Sequence, residues 1–190
     1  MKRWSDTLPA TLDEIAAALS DEEVLLLPTD TIYGLHGLAR KQRVSTRIAA
    51  IKGREETKPF VILAASVAQV EELGAIVPPL LRDVWPAPLT AILAPSVAVR
   101  VPALDWLRSL LERTGPLVST SANRSGEPPI SAPELLAHDL QITLDGLLDL
   151  GPLEAEPSTI VDFTGAEPRL IREGNPGFTQ NLRKTLRISL

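Results

Sequence analysis

Small hydrogen-bonding side chains follow a predicted buried strand in the middle of the sequence. Residues 115–118 (G-P-L-V) predict the strand, and residues 124–129 (R-S-G-E-P-P) predict a rigid turn. Three hydroxyls and an amide lie between them: Ser119, Thr120, Ser121 and Asn123. Loops at the carboxyl ends of strands often hold ligands, so this segment is a candidate binding loop. The alternative is a turn whose side chains only hydrogen-bond the local backbone.

Three cations lie close together in the first third of the chain. Lys52 and Arg54 are at the end of a predicted helix, and Lys58 is within reach of the same segment. An arginine contacts two phosphate oxygens with its forked guanidinium and a lysine adds a point charge, so these residues could clamp phosphates. The alternative for Lys52 and Arg54 is to offset the helix dipole, at an end on which we expect little packing to depend.

Two arginines interrupt apolar strand patterns. Arg100 lies in V-A-V-R-V-P and Arg172 in L-I-R-E-G. Such a side chain either extends its guanidinium to water or pairs with a carboxylate. Ser131 begins the capping box S-A-P-E and is predicted to be the N-cap of a helix. Ser158 lies in a predicted strand and, from its position alone, has an ordinary strand role.

A second candidate ligand loop, residues 29–39, follows the predicted central strand at residues 23–28. It contains His36, whereas His138 is predicted to be a solvated helix residue. The two histidines lack the spacing of metal ligands, and we predict no metal site made by side chains. The sequence contains no cysteine, no phosphate-binding glycine loop and no G-x-S-x-G elbow, which excludes thiol chemistry and three common enzyme signatures.

The elements that must position these residues alternate at first and then form hairpins. Apolar spacing predicts two helices that start at the N-caps Thr11 and Ser66, and two others that end at Gly53 and Gly115. Two further helices are predicted at residues 78–85 and 180–187. Strands are predicted at residues 60–65, 89–95, 97–102, 147–150, 158–163 and 169–172. The pattern predicts an α/β fold with a twisted, mixed parallel and antiparallel sheet and flanking helices. We expect one domain over residues 1–190, with loose ends at residues 1–10 and 175–190.

Composition limits the class of function. The apolar content of 44% suffices for a sizeable core, and the net charge of −5 argues against a protein that coats nucleic acid. No apolar run follows the first residues and no run approaches 18 apolar residues, so we expect no signal peptide and no membrane span. A cytoplasmic location fits the absence of cysteine.

Six motifs stand in a recognisable order between Leu25 and Gly174: P-T-D-T-I-Y-G-L, K-G-R with K-P, W-P-A-P-L-T, V-A-V-R-V-P, S-T-S-A-N-R-S-G, and P-S-T-I-V-D with L-I-R-E-G. Together they resemble the YrdC-like family, the threonylcarbamoyl-AMP synthases, in its short single-domain form. The resemblance implies a twisted α/β sheet with a concave basic cavity. It also implies synthesis of threonylcarbamoyl-AMP and pyrophosphate from L-threonine, bicarbonate and ATP, with Mg²⁺ or Mn²⁺ carried on the phosphates. The product would serve the threonylcarbamoyladenosine modification of tRNA, completed by partner proteins, with tRNA bound weakly or indirectly.

The resemblance also implies roles for individual residues. The family's catalytic signature falls on Lys52, Arg54, Ser121 and Asn123. L-Threonine contacts fall on Thr31, Arg100, Ser121 and Ser158. ATP contacts fall on Arg54, Lys58, Asn123, Ser131 and Arg172. Such a site joins anionic reactants, and therefore needs fixed cations and hydrogen-bond donors rather than a protein nucleophile.

The sequence departs from the usual family pattern at Ala87, His36 and Leu63, which bears on threonine recognition. Two alternatives remain open. One is a related carbamoyl-adenylate chemistry, as in a domain of the hydrogenase-maturation carbamoyltransferases. The other is an RNA-binding module without enzymatic activity, against which the acidity and the low aromatic content of 4% argue.

Overall fold

A single twisted sheet organises the computed structural model, which describes residues 1–53, 60–124 and 126–186. Its strands, in chain order, are β1 Lys2–Trp4, β2 Leu25–Leu27, β3 Gly34–Leu38, β4 Val61–Leu63, β5 Leu89–Leu93, β6 Val97–Arg100, β7 Leu117–Ser121, β8 Gly146–Leu148, β9 Thr159–Asp162 and β10 Arg169–Arg172. Their spatial order is β1-β8-β2-β3-β7-β4-β6-β5-β9-β10. Strands β1–β8, β2–β8, β4–β6 and β5–β9 pair in parallel, and the other neighbours pair antiparallel. The predicted mixed α/β sheet is confirmed.

Helices cover the two faces of this sheet unequally. They are α1 Pro9–Ser20, α2 Gln42–Lys52, α3 Val67–Glu72, α4 Pro79–Val84, α5 Asp105–Thr114, α6 His138–Gln141 and α7 Pro176–Leu186. On one face, α1 and α5 pack against leucines of β2, β3, β4 and β7. On the other face, α2 and α6 form a second cluster, and α3, α4 and α7 form a third. Side chains alternate between the faces along each strand, so the residues beyond α1 and α5 on the first face are left to line a cavity.

Several predicted local features are present. Ser66 accepts a hydrogen bond from the Gln69 backbone N–H at 3.3 Å and caps α3. Gly53 ends α2 in the left-handed conformation, which glycine adopts without steric cost. Strands β5 and β6 form the predicted antiparallel hairpin, and β10 pairs antiparallel with β9.

Two predicted helix caps are wrong, in both cases because a proline sets where the turn begins. Helix α1 starts at Pro9, two residues before the predicted cap, and the Thr11 hydroxyl instead donates to Asp6 Oδ1 at 2.5 Å. Ser131 caps nothing, since a short 3₁₀ turn, Pro133–Leu135, begins after Ala132, and α6 begins only at His138.

The chain ends and two predicted loops also differ from expectation. Strand β1 pairs with β8, and Leu182 and Leu186 of α7 are buried, so the described parts of both ends are structured. The predicted loop at residues 119–123 is wrong in part, because β7 continues through Ser121. The predicted loop at residues 29–39 ends at β3, because pairing with β2 and β7 holds residues 34–38 extended.

Candidate active site

A cavity of about 400 Å³ opens on the same sheet face as α1 and α5, in the part of that face that these helices do not cover. The hydroxyl-bearing residues among its described lining residues are Thr29, Thr31, Thr90, Ser119, Thr120, Ser121 and Ser158. The charged side chains among the described lining residues are Arg100 and Arg172. This set of donors and two cations suits an anionic ligand that carries several oxygens.

Arg100 and the loop after β2 form the closed end of the cavity. The Arg100 side chain, only 6% exposed, donates from Nη1 to Thr31 Oγ1 at 2.7 Å, and its Nη2 lies 3.5 Å from Asp30 Oδ1. Asp30 Oδ2 in turn accepts the Ala103 backbone N–H at 2.9 Å. Burial lowers the pKa of Arg100, and the Asp30 charge opposes this effect. Of the two interpretations for this arginine, pairing with a carboxylate is confirmed.

Arg172 lies at the opposite, open end, on the edge strand β10. Its Nε and Nη2 donate to the Ser158 carbonyl oxygen at 3.1 and 2.8 Å. The Ser158 and Thr90 hydroxyls are 2.8 Å apart, which ties this end to the floor of the cavity. The side chain as a whole is exposed, but partial burial of the guanidinium and then the charge of Arg100 lower the pKa of Arg172.

Lys52 lies next to the cavity wall at the end of α2 and is 5% exposed. Its ammonium donates to the Ser121 carbonyl at 2.6 Å, the Asn123 carbonyl at 2.5 Å and Asn123 Oδ1 at 2.9 Å. The amide nitrogen of Asn123 donates to the carbonyls of Arg124 and Glu127. The expectation that little packing depends on Lys52 is therefore wrong, because its side chain joins α2 to the end of β7.

The structure brings most of the predicted site residues together. Five line the cavity: Thr31, Arg100, Ser121, Ser158 and Arg172. Lys52 and Asn123 adjoin it through Ser121, whereas exposed Ser131 is not among the described lining residues. The predicted phosphate contacts Arg54 and Lys58 lie outside the described residues.

Sequence reasoning missed two members of this arrangement. Asp30, in P-T-D-T, forms an ion pair with Arg100 at 3.5 Å, and Thr90, in P-L-T, contacts Ser158. The need of a buried arginine for a carboxylate could have pointed to Asp30. The departures Ala87 and Leu63 are both buried in apolar clusters rather than among the described lining residues.

His36 is fully buried on β3 and is not among the described residues that line the cavity. Within the described chain, neither ring nitrogen has a hydrogen-bond partner. Burial and then the charge of Arg100 lower its pKa to about 3, an effect that the nearby Leu27 backbone only partly opposes. A Cβ on Gly34 would lie 2.8 Å from His36 Nε2, so glycine makes room for the ring. His138, by contrast, is exposed on α6, as predicted.

Within residues 1–53, 60–124 and 126–186, no cluster of three or more histidine or acidic side chains could hold a metal ion. Within the same ranges, no helix has the length and apolar character needed to cross a membrane.

Comparison with known proteins points to one family. A family model named Sua5/YciO/YrdC, described as “Telomere recombination”, matches residues 17–174. A Xanthomonas axonopodis pv. citri protein named threonylcarbamoyl-AMP synthase is 36% identical over 180 residues, which cover 83% of this chain and 95% of that protein. A Bacillus subtilis protein of the same name is 32% identical over 91% of this chain, which spans only 58% of that relative's length.

Solved structures show the same fold. P. abyssi Sua5, crystallised in complex with L-threonine, superposes with a TM-score of 0.86 at 27% identity, over 97% of this chain and 60% of that one. E. coli YciO superposes with a TM-score of 0.80 at 22% identity, over 92% of this chain and 94% of that one.

Proposed function

Because the chain belongs to the Sua5/YciO/YrdC family, we propose that it is a threonylcarbamoyl-AMP synthase, which forms threonylcarbamoyl-AMP and pyrophosphate from L-threonine, bicarbonate and ATP. Relatives that carry this name match most of the chain. Within this proposal the enzyme is a nucleotidyltransferase, since it transfers the adenylyl group of ATP.

The observation that carries the proposal is the pair of polar groups at the closed end of the cavity. At its closed end, buried Arg100 and Thr31 offer a guanidinium and a hydroxyl that are 2.7 Å apart. These groups match the carboxylate of a small amino acid, and P. abyssi Sua5 binds L-threonine. Ser121 and Ser158 also line the cavity, and we assign them to the same substrate.

The proposed reaction proceeds without a protein nucleophile. The threonine amine and bicarbonate condense to a carbamate with loss of water. A carbamate oxygen then attacks the α-phosphorus of ATP, and the bond to the leaving pyrophosphate breaks. The chain's contribution is to hold two anions together by fixed charges and hydrogen bonds, which lowers the cost of bringing them into contact.

ATP is assigned to the open end of the cavity, with Arg172 as its described cation. Arg54, Lys58, Asn123 and Ser131 complete the proposed ATP contacts, and Mg²⁺ or Mn²⁺ would arrive on the phosphates. The described lining offers hydroxyls to such a cation. We further propose that the protein works in the cytoplasm, that partner proteins transfer the product to tRNA, and that tRNA itself is bound weakly or indirectly.

The proposal is tested by measuring pyrophosphate release with each substrate left out in turn. We expect release only when ATP, bicarbonate and L-threonine are all present. Omitting bicarbonate is the informative control, because simple ATP hydrolysis and direct amino-acid adenylation do not need it. Equal release without bicarbonate would rule out the proposed reaction.

A further inference from the structure

Lys52 closes a hydrogen-bonded turn that supports one wall of the cavity. An ammonium group has three N–H donors, and here three oxygen acceptors lie within 2.5–2.9 Å of Nζ: the carbonyls of Ser121 and Asn123 and the Asn123 amide oxygen. Gly53 ends α2 directly after Lys52, so the helix delivers this side chain to the end of β7.

Asn123 extends the same network into the following turn. Its amide oxygen accepts from Lys52, while its amide nitrogen donates to the carbonyls of Arg124 and Glu127. Ser121 lines the cavity, whereas Lys52 and Asn123 are not among its described lining residues. The effect of Lys52 on a ligand therefore passes through Ser121 and Asn123, which its ammonium contacts.

We propose that Lys52 is a positioning residue: it holds the Ser121 hydroxyl at the cavity wall and does not bind the phosphates. The inference rests on the proposed function, which supplies the triphosphate. For Lys52 to turn towards a phosphate, it would have to leave carbonyl oxygens in a buried place without their donor, and such oxygens are costly to strand.

Amine labelling of the unmodified protein tests this assignment directly. Exposed Lys2 and half-buried Lys41, whose side chain is 43% exposed, should react with an acylating reagent, while Lys52 should remain unmodified, both in the empty protein and with ATP. Mass spectrometry of the digested protein measures each site. Labelling of Lys52 in the empty protein, with protection by ATP, would show a phosphate ligand and overturn the inference.

A matched pair of variants supplies the functional readout. Lys52→Met should lower Tm by at least about 4 °C, and Lys41→Met, at the N-cap of the same helix, by less than about 2 °C. Pyrophosphate release by Lys52→Met should fall at least about tenfold, while its affinity for inorganic triphosphate should stay within about threefold of the wild-type value. An unchanged Tm, or triphosphate binding that is weaker by about tenfold or more, would contradict the positioning role.

The proposed function and the positioning role of Lys52 can be rejected independently of each other. A wild-type protein that releases no pyrophosphate removes the proposed function, but labelling still reports whether Lys52 is enclosed. Labelling also needs no variant, so it decides the question even if Lys52→Met does not fold.

Discussion

The two ends of the cavity present the same functional group in opposite surroundings. Arg100 is buried and held by Thr31 and Asp30, whereas Arg172 is exposed on an edge strand and held by the Ser158 backbone carbonyl. A buried guanidinium in fixed contacts is oriented before the ligand arrives, and its attraction is little weakened by water. An exposed one is screened by salt and adapts to its ligand. The closed end is therefore suited to selecting a small substrate, and the open end to accepting a larger polyanion.

The largest expected effect comes from removing the charge at the closed end. Arg100→Gln should lower kcat/KM for L-threonine by about 30-fold to 1000-fold or more, because truncating a buried charged partner costs about 2–5 kcal/mol. It also leaves Asp30 buried without its cation, so Tm should fall. Steady-state kinetics with varied L-threonine at saturating ATP, together with thermal unfolding, measures both effects. A threonine KM that does not change would remove the assignment of the amino acid to this end.

An intermediate effect is expected at buried His36, and it concerns the free energy of unfolding rather than the activity. The pKa of buried His36 is lowered to about 3, so the folded protein does not bind the proton that the unfolded chain takes up below about pH 6.5. Stability linked to this group is therefore present above pH 6.5 and is lost as the pH falls towards 3. His36→Leu removes the linkage, and between pH 7.5 and 5.0 the variant should gain about 2 kcal/mol relative to the wild type.

Urea unfolding of both proteins at the two pH values measures this difference. His138→Leu is a suitable control, because His138 is exposed and the same substitution there should give no such gain. A pH-independent difference between His36→Leu and the wild type would mean that the ring is hydrated in the folded protein.

The smallest effect is expected at the open end. Arg172→Gln should weaken ATP use by up to about fivefold, because an exposed charged contact contributes roughly 1 kcal/mol or less. The loss should shrink as salt is raised from about 50 to 300 mM, since the screening length shortens over this range. Measuring the ATP KM of both proteins across that series tests the contrast between the two ends. A loss of ATP use that does not depend on salt and is as large as the effect of Arg100→Gln would contradict the contrast between the two ends.

Local signals accounted for most elements. The apolar stripe of Leu107, Leu110 and Leu111 with a closing glycine predicted α5, and the minimal break at residue 96 predicted the β5–β6 hairpin. The failures were local as well, since Pro9 and Pro133 moved the start of a helix or turn away from Thr11 and Ser131. The fixed backbone angle of a proline has a larger influence on where a helix begins than the hydrogen bond of an N-cap hydroxyl.

The sequence by itself determined the fold class, the family and the residue types at the site, because periodicity, turn chemistry and ordered motifs are properties of neighbouring residues. Only the tertiary structure decided which side chains contact each other at the site. Arg100 meets Thr31 and Asp30 across about 70 residues of chain, and Lys52 meets Ser121 and Asn123 across a similar separation. Strand order brings such pairs together, and pairing between distant strands leaves no local signal. The sequence therefore predicted a phosphate clamp or a helix-end charge at Lys52, and the structure shows its ammonium enclosed by oxygens of Ser121 and Asn123.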